Sequence, residues 1–208
     1  MPSPPALTTT SYAILGLLAV QPWSTYELTR QMDRSVGRIW PRAQSKLYEE
    51  PKKLVAHGLA EASTELVGRR PRTVYAITPA GRAALAGWLA EPGEGPVLEF
   101  EQLLKITYAE HGTRDDVLAT LAAARAWAVE RNVENRATAR AYLAGEGPFP
   151  RRLAHTVLVG AFLTDFYALV ARWSEWAATV AAAWPEDPGE AAPDLAALAA
   201  VAERADWS

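Results

Sequence analysis

IWPRAQSKLYEEPKKL, residues 39–54, carries apolar residues at helical spacing, yet it contains a proline at 51 and the cations Arg42, Lys46, Lys52 and Lys53. Pro41 suits the first turn of a helix, where its missing N–H has no partner to lose. With Leu47 at the centre of a buried face, about 100° per residue brings Ala43, Pro51 and Leu54 near that face. Arg42, Ser45, Glu49, Lys52 and Lys53 fall opposite, with Lys46 and Tyr48 on the flanks. The proline therefore faces a core and the cations face outward. Gly58, after His57, is a plausible helix stop.

Working back toward the N-terminus, TTSYAILGLLAV predicts an apolar helix over 9–20 with a stripe of Tyr12, Leu15, Leu18 and Ala19. STYELTRQM follows, with Ser24 and Glu27 at the capping-box spacing and Leu28 and Met32 in helical register. Downstream, LAEASTELV and RTVYAIT read as strands separated by GRRP, with Gly68 and Pro71 marking the turn. That hairpin tip displays Arg69 and Arg70, with Arg72 just beyond. Another helix starts with Thr78 as N-cap and Pro79 at its first position. Three helices followed by an arginine-tipped hairpin make a winged helix-turn-helix. In that arrangement the third helix lies in the major groove, and an arginine wing suits the backbone or a narrow minor groove.

Charge agrees with this placement. Residues 1–91 hold 11 Lys and Arg against 7 Asp and Glu, net +4, whereas residues 92–208 hold 10 against 17, net -7. A basic first part joined to an acidic second part points the first part at a polyanion. Cysteine is absent, which excludes disulfides, thiolate chemistry and cysteine metal sites. The absence of cysteine fits a reducing cytoplasm, and the opening MPSPPALTTTSY has no basic region followed by an apolar stretch, so no signal peptide is expected. His57, His111 and His155 lie far apart in sequence, so no zinc site is expected. With no glycine-rich phosphate loop, G-x-S-x-G elbow or H-E-x-x-H, neither enzymatic activity nor a cofactor is expected.

The ordered set YAILGLLAVQPWSTYEL, then Pro41, Ser45-Lys46-Leu47-Tyr48, Leu54 and His57-Gly58-Leu59, then RTVYAITPAGRAAL, resembles the PadR family of bacterial transcriptional regulators. The likeness is close over residues 9–90. Beyond them, only the outline resembles the helical C-terminal domain of the longer, virulence-activator-like members. It implies an operator-binding homodimer, usually a repressor, released by a small ligand. By position, Tyr26, Ser45, Lys46 and Tyr48 would lie against DNA, and Arg69, Arg70 and Arg72 match the wing. Arg42 and Lys52, on the outward face, complete the candidate set. Pro51 stands where the family commonly has leucine, and Trp23-Ser24 where many members have His-Gly. Proline in a helix interior costs about 3 kcal/mol. Leu47 and Leu54 nevertheless stay in phase across it, which predicts one helix bent near 47–51, with its first half in the groove.

The expected division is a DNA-binding domain over 1–91 and a helical dimerisation and candidate ligand-sensing domain over 92–208. EPGEGP breaks the chain at 91–96, and helical pattern resumes through Val97, Phe100, Leu103, Leu104 and Tyr108. Thr113 caps a long helix to about residue 144, with Val117, Leu121, Ala124 and Ala128 on one side. A second long helix is expected over 150–184, about 50 Å. PEDPGEAAP reads as a flexible connection, and DLAALAAVAERADW as a short closing helix. Residues 153–171 are apolar enough to suggest a membrane span. Asp165, at about 2.5–3.5 kcal/mol near a bilayer centre, argues instead for a helix buried in a bundle or dimer, and no membrane partner is expected. The aromatics at 162, 166, 173, 176 and 184 read as packing. A sharper alternative has Trp127, Phe162, Phe166 and Trp173, with Asp165, lining a site for a flat aromatic effector. The packing role for Asp165 is a salt bridge or cap inside the bundle. Two readings stand beside the regulator: a winged-helix adaptor that binds protein, and a protein that sequesters a small molecule.

Overall fold

Local capping rules place most of the helices. The computed structural model describes residues 5–41, 44–67 and 70–206, with backbone only at 44–46, 67 and 70. The chain divides between Pro96 and Val97 into two compact units.

In the first unit, α1 (Thr9–Val20) starts at Thr8, which forms a capping box with Ser11. Ile14, Leu15, Leu17 and Leu18 are all buried, whereas Tyr12 and Ala19 of the expected stripe are half-buried. The reason is that α1 is apolar nearly all round and is packed against by several elements, so no single stripe describes it. Tyr12 instead stacks on Trp88 at 5.1 Å. Ser24 and Glu27 form the expected capping box at the start of α2 (Thr25–Arg34).

The quoted stretch is only partly helix. Residues Val36–Arg38 form a 3-10 turn, and α3 runs Gln44–Ala56, so Ile39, Trp40 and Pro41 lie ahead of it. Trp40 precedes a proline, which disfavours helical backbone there. Its indole donates to the Thr10 hydroxyl at 3.1 Å, fixing the approach to α3. The helix itself continues unbroken through Pro51, which is fully buried as expected. Leu47 and Leu54 are buried on the same face. Gly58 follows with φ +69, the left-handed stop glycine favours.

The sheet has three strands. β2 (Ala60–Val67) and β3 (Arg70–Ile77) form the expected antiparallel hairpin, in register from Ala60↔Ile77 to Val67↔Arg70. A third strand, β1 (Trp23–Ser24), pairs on the other side of β3 at Tyr75 and Val74, giving the order β1-β3-β2. Pro71, read as a turn residue, lies within β3 opposite Leu66. A proline is tolerated there because β1 does not extend that far, so only one side of β3 is paired. α4 (Pro79–Ala90) begins as expected, with the Thr78 hydroxyl accepting from the Gly81 N–H at 3.0 Å. The core joins Ile14, Leu15 and Leu18 to Leu28, Met32, Leu47, Leu54 and Tyr75.

The second unit comprises α5 (Glu101–Thr107), α6 (Arg114–Leu143), α7 (Leu153–Ala181) and α8 (Leu195–Arg204). The capping box of Thr113 and Asp116 starts α6, whose buried side is Val117, Leu121, Ala124 and Ala128, as expected. α6 and α7 run antiparallel. Arg125 pairs with Glu175 at 2.6 Å, and the Asn135 side chain donates to the Thr164 hydroxyl at 2.8 Å. α7 is shorter than expected, about 44 Å, because Pro150–Arg152 is a 3-10 turn and the helix ends at Ala181.

The stretch read as flexible is pinned. Pro188 is buried in a 3-10 turn, and the Arg114 guanidinium donates to the Trp184 carbonyl at 3.1 Å and to Glu186 at 3.2 Å. Residues Pro150–Ala181 are long and apolar enough to cross a membrane by length and composition, but only 17% of the apolar window is buried within the chain. Of the two expected settings, a bundle or a dimer, the chain's own bundle covers only one stripe (Leu163, Tyr167, Val170, Ser174 and Ala181), and Phe162, Leu169 and Trp176 stand exposed. Asp165 is likewise exposed instead of paired or capping inside a bundle.

Candidate nucleic-acid interface

α2, α3 and the hairpin hold the sequence candidates. Tyr26 is 63% exposed on the first turn of α2, and the Arg30 guanidinium lies over its ring at 5.7 Å, a cation–π distance. Tyr26, Arg30 and Arg34 repeat every four residues, so α2 presents an aromatic-basic row, and Tyr26, Arg30, Arg34 and Arg72 border one open groove. Arg30 and Arg34 were not among the sequence candidates; that four-residue spacing was the available signal.

On α3, Lys52 is exposed on the outward side of the helical wheel, and Tyr48, on its flank, is exposed too. Ser45 and Lys46 lie in its first turn, with side chains outside the described residues. Arg42 and Arg69 lie wholly outside them. Arg70 opens β3 opposite Val67, again with backbone alone described. Lys53, placed outward by the wheel, instead sits with its side chain 13% exposed, 3.3 Å from Glu50. Glu50 is the residue the wheel did not single out. It is buried beside Pro51 and accepts a 2.7 Å hydrogen bond from the Ser11 hydroxyl.

Arg72 is held within the unit. Its Nη2 and Nε donate to Glu65 Oε2 at 3.0 and 3.3 Å, and its Nη1 to Glu27 Oε1 at 3.3 Å. Glu27 Oε2 accepts from the Ser24 N–H at 2.8 Å and the Ser24 hydroxyl at 2.7 Å. The Ser24 N–H, then the Ser24 hydroxyl, then Arg72 hold the Glu27 carboxyl below the usual glutamate range.

The effector candidates separate into two places. Trp127 meets Phe166 edge-on at 6.3 Å and Tyr167 at 5.6 Å, and Phe162 stacks parallel to Phe166 at 6.4 Å. Trp173 packs instead against Phe100 at 5.8 Å and the Val117–Leu121 cluster. Trp127, Phe162 and Phe166 thus form one aromatic ladder along α6 and α7, with Trp173 apart from it.

Residues 14–87 match the Transcriptional regulator PadR-like family. Over 82 residues the chain is 42% identical to a probable transcriptional regulator of Mycobacterium tuberculosis, covering 39% of this chain and 43% of that protein. It is 34% identical over 79 residues to the negative transcriptional regulator PadR of Bacillus subtilis, covering 38% of this chain and 43% of that protein. Residues 14–87 are a PadR-like domain. The matches to both relatives thus span less than half of either one's length. Solved structures extend the likeness of fold past the PadR-like domain. Bacillus subtilis PadR in complex with operator DNA superposes with TM-score 0.67 at 22% identity, over 84% of this chain and 99% of that one. The same PadR in complex with p-coumaric acid gives 0.60 at 21%, over 82% and 94%. The Vibrio cholerae virulence activator AphA gives 0.60 at 22%, over 81% and 95%. The winged helix-turn-helix and the helical unit after it are therefore both architectures these regulators share.

Proposed function

We propose that this protein is a cytoplasmic, dimeric, DNA-binding transcriptional regulator, a repressor released by a small aromatic ligand. The PadR-like domain is the observation that carries the reading: both curated relatives it matches are named transcriptional regulators. The first half of α3, with Ser45, Lys46 and Tyr48, reads bases. Tyr26, Arg42, Lys52, Arg69 and Arg70 engage the backbone. The complex of Bacillus subtilis PadR with operator DNA supports this use of the fold.

A second copy covers the helical unit. On α7, Leu158, Phe162, Leu169 and Trp176 are exposed, and α8 has no buried residue, with Leu195 at 70% and Leu198 at 63% exposure. Apolar surface of this extent on a water-soluble chain marks an interface. α7 also carries Asp165 and Arg172, exposed charges that suit a partner helix and not a bilayer core. Two-fold pairing sets two reading helices about one duplex turn, roughly 34 Å, apart. The ladder of Trp127, Phe162 and Phe166 is the proposed effector surface, a reading supported by the complex of Bacillus subtilis PadR with p-coumaric acid.

Selection of bound genomic fragments, followed by salt titration on the best fragment, tests the reading. A dimer contacting 6–10 phosphates loses roughly 10³–10⁵ in affinity between 50 and 200 mM salt. Light scattering on the same sample reports the dimer. Absence of DNA binding at 50 mM salt overturns the regulator and leaves the adaptor or the sequestering protein. Adding p-coumarate and related aromatic acids to the complex tests release; unchanged affinity with all of them removes the effector.

A further inference from the structure

We infer that Arg72 is a positioning residue, which locks the wing to the start of α2 and does not itself bind phosphate. This rests on the DNA-binding reading above.

The residues form a closed ring. Ser24 pairs with Val74 in the sheet, and its N–H and hydroxyl both donate to Glu27 Oε2. The other oxygen of Glu27 accepts from Arg72, two residues along β3 from Val74. Arg72 also bonds Glu65, its direct cross-strand partner. Each oxygen of Glu27 thus serves one element, Oε2 the cap of α2 and Oε1 the wing. Sheet pairing between β1 and β3 is confined to two residue pairs, too few to fix the angle of an eight-residue hairpin arm. The ion pair supplies a second attachment further toward the tip.

Charge decides against a direct phosphate contact. One guanidinium faces two carboxylates, so the cluster carries a net charge of about −1. A phosphate brought to Arg72 would displace partners already at hydrogen-bond distance and sit beside Glu27 and Glu65. All three guanidinium nitrogens are engaged, which fits an arginine whose planar fork holds two elements together.

The test compares Arg72→Gln, Glu27→Gln and the double variant in full-length protein, by binding to the selected operator fragment across a salt series. Glutamine at position 27 still serves the capping box through its carbonyl oxygen, while its NH2 faces Arg72 as a donor, so both the charge and the acceptor toward Arg72 are lost. Each single change weakens binding roughly two- to ten-fold, about what one or two exposed ion pairs support. The salt slope stays at the wild-type value, and the double variant is no worse than Arg72→Gln alone, since that change already breaks the link to Glu27. A slope that falls by about one on Arg72→Gln makes Arg72 a phosphate contact and overturns the inference. So does tighter binding by Glu27→Gln, the result expected if Glu27 merely holds Arg72 back from DNA. Amide exchange over residues 60–77 without DNA separates this from failure of the regulator reading. Faster exchange in both single variants supports the lock even in a protein that binds no duplex, and unchanged exchange overturns it.

Discussion

Replacing Ser11 with alanine should destabilise the first unit by about 2–4 kcal/mol, more than a surface-facing cap would. Ser11 is fully buried and sits at the third position of α1. Its hydroxyl accepts from the Thr8 N–H at 2.9 Å, and it donates to Glu50 of α3 at 2.7 Å. The first contact is a capping interaction worth about 0.5–1 kcal/mol. The second is a charge-assisted bond to a buried carboxylate, worth about 1.5–3 kcal/mol. Alanine removes both and leaves Glu50 with Lys53 as its remaining partner shown, at 3.3 Å. For a domain of this size, 1 kcal/mol moves the midpoint by about 4–8 °C, so the loss corresponds to roughly 10–25 °C. Amide exchange across α1 and α3 in the full chain measures it without assuming that both units unfold together. Glu50→Leu removes the carboxylate that Ser11 serves, and in that background Ser11→Ala should cost only the cap, about 0.5–1 kcal/mol. A Ser11→Ala loss below about 1 kcal/mol, or one equally large in the Glu50→Leu background, refutes the link between α1 and α3.

Two other changes probe the same unit. Pro51→Ala restores an N–H toward the Leu47 carbonyl, a gain of about 3 kcal/mol, and loses about 1.6 kcal/mol of buried methylene, so urea denaturation should show roughly 1–1.5 kcal/mol of added stability. Gly81→Ala, in the first turn of α4, would place its Cβ on the Leu59 carbonyl oxygen ahead of β2 and against Ile77 at the end of β3, so a loss of about 3 kcal/mol and a lower melting temperature are expected.

What the sequence revealed follows the range of the interactions involved. The caps at Ser24, Thr78 and Thr113 were legible because a cap and its partner stand three residues apart. The α6 stripe was legible because one side of the helix is covered along its length, by α7 and at its start also by Ile106 of α5. Three features depend on distant partners and were missed. The wheel had no means of seeing that Glu50 turns inward to a serine 39 positions earlier. Composition made residues 185–193 look flexible, yet Arg114, some 70 residues away, holds them. β1 has two residues, too short for any alternation to register. α7 reads from its sequence as buried in a bundle or a dimer, and within one chain most of its apolar window is open; periodicity alone does not tell a surface covered by the same chain from one left for a second copy. Among the site residues, Tyr26, Tyr48 and Lys52 stand exposed as expected, while Arg72 proved to be held by carboxylates. Counting cations could not separate a free arginine from one already engaged.

The two polar links in the first unit have the same construction. The third residue of α1, Ser11, closes its own cap with Thr8 and reaches across to Glu50 of α3. The third residue of α2, Glu27, closes its own cap with Ser24 and reaches across to Arg72 of the wing. Each element proposed to meet DNA is thereby tied to the N-terminus of a scaffold helix, through a side chain that already has a structural duty. A capping residue at the third position has its backbone fixed by the helix and its side chain fixed by the cap. The second partner therefore meets a group that has already lost its rotamer freedom, which reduces the entropy cost of the link. Apolar packing places α3 and the hairpin in the fold, but packing is non-directional. Directional bonds from ordered caps fix their angle, and the angle is what a reading helix and a wing must share to meet one duplex together.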